Sequence, residues 1–145
     1  MEVAAYVSLF VSAFAAATIL PLSSEAVLST LIVAEGFDIW FLVCIASIAN
    51  TLGAAVNWVL GRHCLRWRDH RWFPVSTSAL GRASEWFARY GQISLLFAWV
   101  PIVGDPLTFV AGTLRVSVLR FLLLVAIGKT LRYVAVALLA ERVVT

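Results

Sequence analysis

Twelve residues constrain this chain more than any others: Val100-Pro101-Ile102-Val103-Gly104-Asp105-Pro106-Leu107-Thr108, with Val110-Ala111-Gly112 close behind. The run is apolar, yet it holds two prolines, two glycines and a carboxylate. Proline removes a backbone donor and clashes with the preceding turn of a helix. An aspartate in hydrocarbon is expensive and marks a functional site by default. A continuous membrane helix does not accommodate this combination. Irregular backbone is tolerated at membrane depth only where protein or water surrounds it, so the run predicts a broken, re-entrant element lining a polar cavity.

That the setting is a membrane follows from composition. Of the 145 residues, 62% are hydrophobic and 13% charged, with a mean hydropathy of +0.95; soluble domains carry about a quarter charged residues. The length suits one domain with a handful of membrane segments, since a spanning helix needs about 20 residues. The net charge of +3 could point to nucleic acid, but Arg62, Arg66, Arg68, Arg71, Arg82 and Arg89 all lie in one polar linker between hydrophobic halves. This is the pattern of a cytoplasmic loop, with anionic lipid headgroups as partners and no nucleic acid.

Along the chain, residues 3–20 read as an apolar helix of borderline spanning length, stopped by Pro21. No basic segment precedes them, so they read as retained structure and not as a signal peptide. Ser24 is placed to cap a short second helix, about 26–34, with Glu25 in its first turn and Gly36 as the end signal. Such a helix is too short to span and reads as a re-entrant arm. Asp38 opens a spanning helix over 39–60, which carries Asn50, Asn57 and the small residues Ala46, Ala49, Gly53, Ala54 and Ala55. Small residues let helices approach closely, within one chain or in a homodimer. Residues 62–76 are basic and aromatic and read as a membrane-surface loop. An amphipathic helix follows over 77–90, with Leu80, Ala83, Phe87 and Tyr90 on one face and Arg82, Glu85 and Arg89 on another. Residues 92–100 form an apolar arm, the broken run leads back to Gly112, and a last spanning helix covers about 118–140 with Lys129 and Arg132 near its middle.

The two halves resemble each other. Pro21 precedes Glu25 by four residues, as Pro101 precedes Asp105. Each short arm ends in glycine, and Pro21 stands as far from Arg62 as Pro101 does from Arg142. The expected fold is therefore an all-α polytopic membrane protein, one domain over residues 1–145. It comprises two pseudo-inverted repeats (about 3–62 and 91–142), each a re-entrant helical hairpin followed by a spanning helix. Paired interrupted segments point to a transport site at the midplane. Glu25, Asp105, Lys129 and Arg132 are expected to converge there, with Asn50 mid-helix and Arg89 at the surface. Desolvated carboxylates can carry protons, and Lys and Arg can hold a phosphate. The same four charges could instead pair to fix helix register.

Other chemistry finds little support. Cys44 reads as a small core residue, and Cys64 beside His63 with His70 matches no common metal spacing. Ser23, Ser24 and Thr108 have no base beside them, and capping explains them. The tryptophans read as interface anchors. No phosphate loop or dinucleotide fingerprint is present, so neither a cofactor nor an enzyme activity is expected.

Several of these pieces together carry a resemblance. Pro21-x-x-x-Glu25, Ala49-Asn50-Thr51-Leu52-Gly53 with Leu60-Gly61-Arg62, Phe87-Ala88-Arg89-Tyr90-Gly91, Gly104-Asp105-Pro106-Leu107 with Ala111-Gly112, and Gly128-Lys129-x-x-Arg132-Tyr133 resemble the YqaA branch of the DedA family, in the VTT-domain superfamily. The resemblance implies a small multi-pass protein of the bacterial inner membrane with two facing re-entrant hairpins. It also implies a part in membrane homeostasis, with some relatives moving phospholipids or undecaprenyl phosphate, coupled to protons. Glu25 matches the acid of the first hairpin. Trp99 and Asp105 stand where better-studied branches carry an arginine pair, which leaves Lys129 and Arg132 to supply positive charge. The functional expectation is a proton-linked, flippase-like translocator of an anionic lipid or small solute. The alternative is a membrane scaffold or assembly factor whose buried charges are structural.

Overall fold

A computed structural model describes residues 2–18, 24–34, 36–63, 77–98 and 104–144. Among them the regular structure is helical throughout. The elements are α1 (Glu2–Thr18), α2 (Ser24–Val33), α3 (Ile39–His63), α4 (Thr77–Tyr90), a 3-10 helix (Gly91–Phe97), α5 (Gly104–Thr113) and α6 (Val118–Val144). Pro21, Trp99, Pro101 and the basic loop with Cys64, His70, Trp67 and Trp72 lie outside the described residues.

At about 1.5 Å per residue, the 25 residues of α3 and the 27 of α6 reach about 37 and 40 Å, longer than a hydrocarbon core of about 30 Å. Both are long and apolar enough to cross a membrane. The ten-residue α2 and α5 reach about 15 Å, half that thickness. The start of α3 is set locally: the Asp38 carboxylate accepts the Phe41 N–H at 2.9 Å, satisfying one orphan donor of the first turn. Gly36, just past α2, has φ +91°, the left-handed backbone that favours glycine.

The chain forms two compact units. The first joins Met1–Gly53 to Lys129–Thr145; the second is Ala54–Gly128. In the first unit, Leu9 and Ala13 of α1, Leu28 and Ile32 of α2, Leu42, Ala46 and Ala49 of α3, and Tyr133 and Ala137 of α6 form the core. The small residues Ala46 and Ala49 are thus used in packing within the chain. Tyr6 packs edge-on against Phe37 and Phe41, ring centroids 5.6 and 5.0 Å away.

In the second unit, α4 lays Leu80, Ala83 and Phe87 into a core with Leu107, Phe109, Val110 and Ala111 of α5. Tyr90, expected on that buried face, is exposed and packs against Trp86 at 6.0 Å. Helices α3 and α5 meet backbone to backbone. A Cβ at Gly61 would overlap the Phe109 carbonyl, and a Cβ at Gly112 would overlap that of Trp58. Gly112 therefore serves close approach and does not end the arm. The end of α5 is a Schellman turn, with Val116 N–H on Ala111 O at 3.0 Å and Arg115 N–H on Gly112 O at 3.1 Å. Arg115 takes the left-handed position there, φ +56°. Trp58, expected as an interface anchor, is a core residue: its ring N–H donates to Val116 O at 3.2 Å, and Phe121 packs against it.

Burial along the two long helices corrects one further reading. Phe41, Cys44, Ile48, Leu52, Val56 and Val59 of α3 are exposed, as are Leu119, Leu123, Ile127, Leu131 and Leu138 of α6. Cys44 is thus on an apolar outer row and not in the core. In lipid the outer face of a helix is as apolar as the inner one, so an apolar run does not imply burial.

Candidate functional site

Helix α6 builds the site from one face. Lys129, Arg132 and Tyr133 stand at i, i+3 and i+4, the spacing that brings helical side chains together. Each finds a partner within the first unit. Arg132 forms an ion pair with Glu25. The Tyr133 hydroxyl lies 2.7 Å from Ser24 Oγ and within reach of the Asn50 side chain. The Lys129 ammonium donates to Asn50 Oδ1, and Asn50 Nδ2 donates to the Ala13 carbonyl at 2.8 Å.

Adjacent residues of α6, Arg132 and Tyr133, therefore hold adjacent residues of α2, Glu25 and Ser24. Ser24, expected to cap α2, turns its hydroxyl to Tyr133 instead. Glu25 occupies the first turn of α2, where the partial positive charge of the helix N-terminus adds to that of Arg132. Helix α3 supplies Asn50, placed mid-helix by the Ala46–Ala49 packing that draws α3 into this core.

Exposure is graded across the cluster. Lys129 is 3% exposed and Tyr133 1%, whereas the Arg132 and Glu25 side chains are 33% and 25% exposed. A sealed ammonium demands acceptors, since an unpaired buried charge costs several kcal/mol; Asn50 supplies one. The half-open Glu25–Arg132 pair can meet water or a solute. Two buried hydroxyls beside Asn50 on α3, Ser47 Oγ and Thr51 Oγ1, have no hydrogen-bond partner among the described residues. Buried polar groups normally have one, so this wall of α3 suits a water or a polar ligand.

The structure thus gathers Glu25, Lys129, Arg132 and Asn50. Asp105 and Arg89 belong to the second unit. Asp105 is half-buried in the first turn of α5, and its carbonyl accepts the Thr108 hydroxyl at 2.5 Å. Arg89 is exposed on α4, its guanidinium 5.6 Å from the Tyr90 ring. Sequence reasoning missed Tyr133 as a site residue, although its spacing from Lys129 was the available signal. It misread Ser24, whose partner lies 109 residues away. Among the described residues no His, Cys, Asp and Glu side chains gather as a metal site would need.

Ionised side chains paired between apolar helices, two of them long enough to span, define a class of helical membrane protein with a polar interior site. The VTT-domain profile matches residues 20–142, and the chain belongs to this family, the DedA membrane proteins. It is 40% identical over 130 residues to the inner membrane protein YqaA of Escherichia coli K12, covering 90% of this chain and 87% of that one. An uncharacterised protein of Haemophilus influenzae is 34% identical over 139 residues, 91% of this chain and 85% of that one. Undecaprenyl phosphate transporter A of Staphylococcus aureus is 28% identical over 98 residues, covering 62% of this chain and 48% of the transporter. No solved structure matches the chain at a significant level.

Proposed function

We propose that the chain moves an anionic lipid, or a small anionic solute of like chemistry, across the bacterial inner membrane, linked to proton movement. The observation that carries this reading is the half-open Glu25–Arg132 pair beside the sealed Lys129–Asn50 contact. Protonation of Glu25 removes the counter-charge of Arg132. The freed guanidinium can then take a phosphate through two parallel hydrogen bonds, as Arg does best. Lys129, held by Asn50, supplies a fixed positive charge behind it. Departure of the anion and loss of the proton restore the pair. Asp105 is the second proposed proton carrier, and Arg89 the surface residue that draws anionic headgroups. The similarity to a protein named as an undecaprenyl phosphate transporter supports a lipid phosphate as cargo.

The reading includes a multi-pass topology with the loop 62–90 in the cytoplasm, and α2 and α5 as arms of two re-entrant hairpins in inverted repeats. Their half-membrane length supports this. It also includes pairing of two copies. Labelling of single cysteines at Pro21 and Pro101 from the same side of the membrane would overturn the inversion.

A second reading, a scaffold with structural charges, is favoured by the fact that Glu25, Arg132 and Lys129 all have partners already. Replacing a buried pair with apolar residues is often neutral for stability. The scaffold reading expects Glu25→Leu/Arg132→Leu to retain function. The translocator reading expects Glu25→Gln, Asp105→Asn, Lys129→Met or Arg132→Gln each to abolish transport while membrane insertion survives. Full transport by Arg132→Gln sinks the proposal.

A further inference from the structure

In the second unit, α4 and α5 leave an open cleft of about 270 Å³ between them. Leu80, Ser84, Phe87 and Ala88 of α4, Val110 and Thr113 of α5, and Leu114 just past its end line it. The small side chains of Ser84 and Ala88, one turn apart, keep the groove open. The hydroxyls on its wall are turned away to backbone: Ser84 Oγ donates to Leu80 O at 2.8 Å, and Thr113 Oγ1 contacts Gly61 O and Phe109 O, each at 3.1 Å. The walls therefore offer packing and no polar handle.

Size narrows the occupant. At about 270 Å³ the cleft lies just below the size range of drug-sized ligand pockets, which starts at about 300 Å³. A helix, about 10 Å across, does not enter it. A linear hydrocarbon chain does. A charge next to its lining in the chain narrows it again. The residue after Leu114 is Arg115, exposed and held in left-handed backbone, φ +56°. Glycine would take this turn position without steric cost, and strain held at one residue points to a use for its side chain. An arginine one residue from the lining of an apolar cleft is complementary to a phosphate attached to an alkyl chain.

We propose that the α4–α5 cleft binds one acyl chain of an anionic glycerophospholipid whose phosphate is held by Arg115. The site is separate from the Glu25–Arg132 cluster and does not depend on the transport reading. The full chain is reconstituted in phosphatidylcholine liposomes containing phosphatidylglycerol with a diazirine on its acyl chain. After illumination, adducts are mapped by mass spectrometry. Adducts concentrated on residues 80–88 and 110–114, over those on the outer row of α6 (Leu119, Leu123), are expected. Ala88→Phe fills the slot and lowers them to the level of that outer row. Arg115→Gln, at an exposed position, lowers labelling by the phosphatidylglycerol probe about fivefold, as loss of about 1 kcal/mol per cation at an anionic surface dictates. Labelling by the matching phosphatidylcholine probe, whose phosphate is already offset by its choline, falls by less. Adducts spread evenly between cleft and outer row overturn the proposal. So do equal losses for the two probes in Arg115→Gln.

Discussion

Arg132→Gln is the perturbation whose cost the structure sets most directly. Removing one partner of a fully buried ion pair costs about 3–5 kcal/mol, because the other charge is stranded. Glu25 and Arg132 keep 25% and 33% of their side-chain surface open, so water offsets part of that, and about 2–3 kcal/mol is expected. Glu25→Gln should cost a similar amount, since it strands the guanidinium. The double variant strands neither, so it should cost less than the sum by about 1–2 kcal/mol. That coupling stands well above the roughly 0.6 kcal/mol average for polar contacts between membrane helices. The assay is equilibrium unfolding of the four proteins in mixed micelles under a denaturing detergent, followed by tryptophan fluorescence. Single costs that add within about 0.5 kcal/mol would show that the two side chains do not interact, and the proposed gate would lose its basis.

Three further outcomes follow from the packing. Tyr133→Phe removes the hydroxyl that meets Ser24 at 2.7 Å; it and Ser24→Ala should each cost about 1 kcal/mol, and the double variant no more than either, by the same unfolding assay. Gly61→Ala drives a methyl group into the Phe109 carbonyl and should cost about 3 kcal/mol, because the group it meets is backbone. Gly81→Ala, in open space on α4, should gain up to about 1 kcal/mol from helix propensity; equal effects at the two glycines would contradict the α3–α5 approach. Arg115→Gly should raise stability by about 1 kcal/mol by relieving the left-handed backbone, at the expense of anionic lipid labelling.

Elements set by neighbours along the chain were legible in the sequence. Asp38 caps α3 because its carboxylate needs to reach only three residues ahead. The amphipathic spacing of Leu80, Ala83 and Phe87 marks α4 over Thr77–Tyr90, with Gly91 in left-handed backbone at its end. Elements set by distant partners were not. Ser24 looks like a cap until Tyr133 arrives from the far end of the chain. Gly36 and Gly112 look alike in sequence; one serves a positive φ, the other a close helix approach, and Arg115 takes the turn that Gly112 was expected to make. Cys44 looks buried only on the rule for soluble cores, which fails where the outer solvent is apolar. Within the site, the separate charges were legible, while the pairing of Glu25 with Arg132 and of Lys129 with Asn50 depended on the packing of α2, α3 and α6.

The graded cluster gives the transport reading its physical form, with a sealed positive charge behind a half-open pair that a proton or a phosphate can part. The most direct test is movement of a fluorescent anionic phospholipid between leaflets of liposomes containing the full chain, with and without an imposed pH gradient. Lipid should move faster with protein than in empty liposomes, the gradient should change the rate, and Arg132→Gln should bring the rate to the empty-liposome level. Equal rates in empty liposomes, wild-type liposomes and liposomes bearing Arg132→Gln, with or without the gradient, would contradict the account.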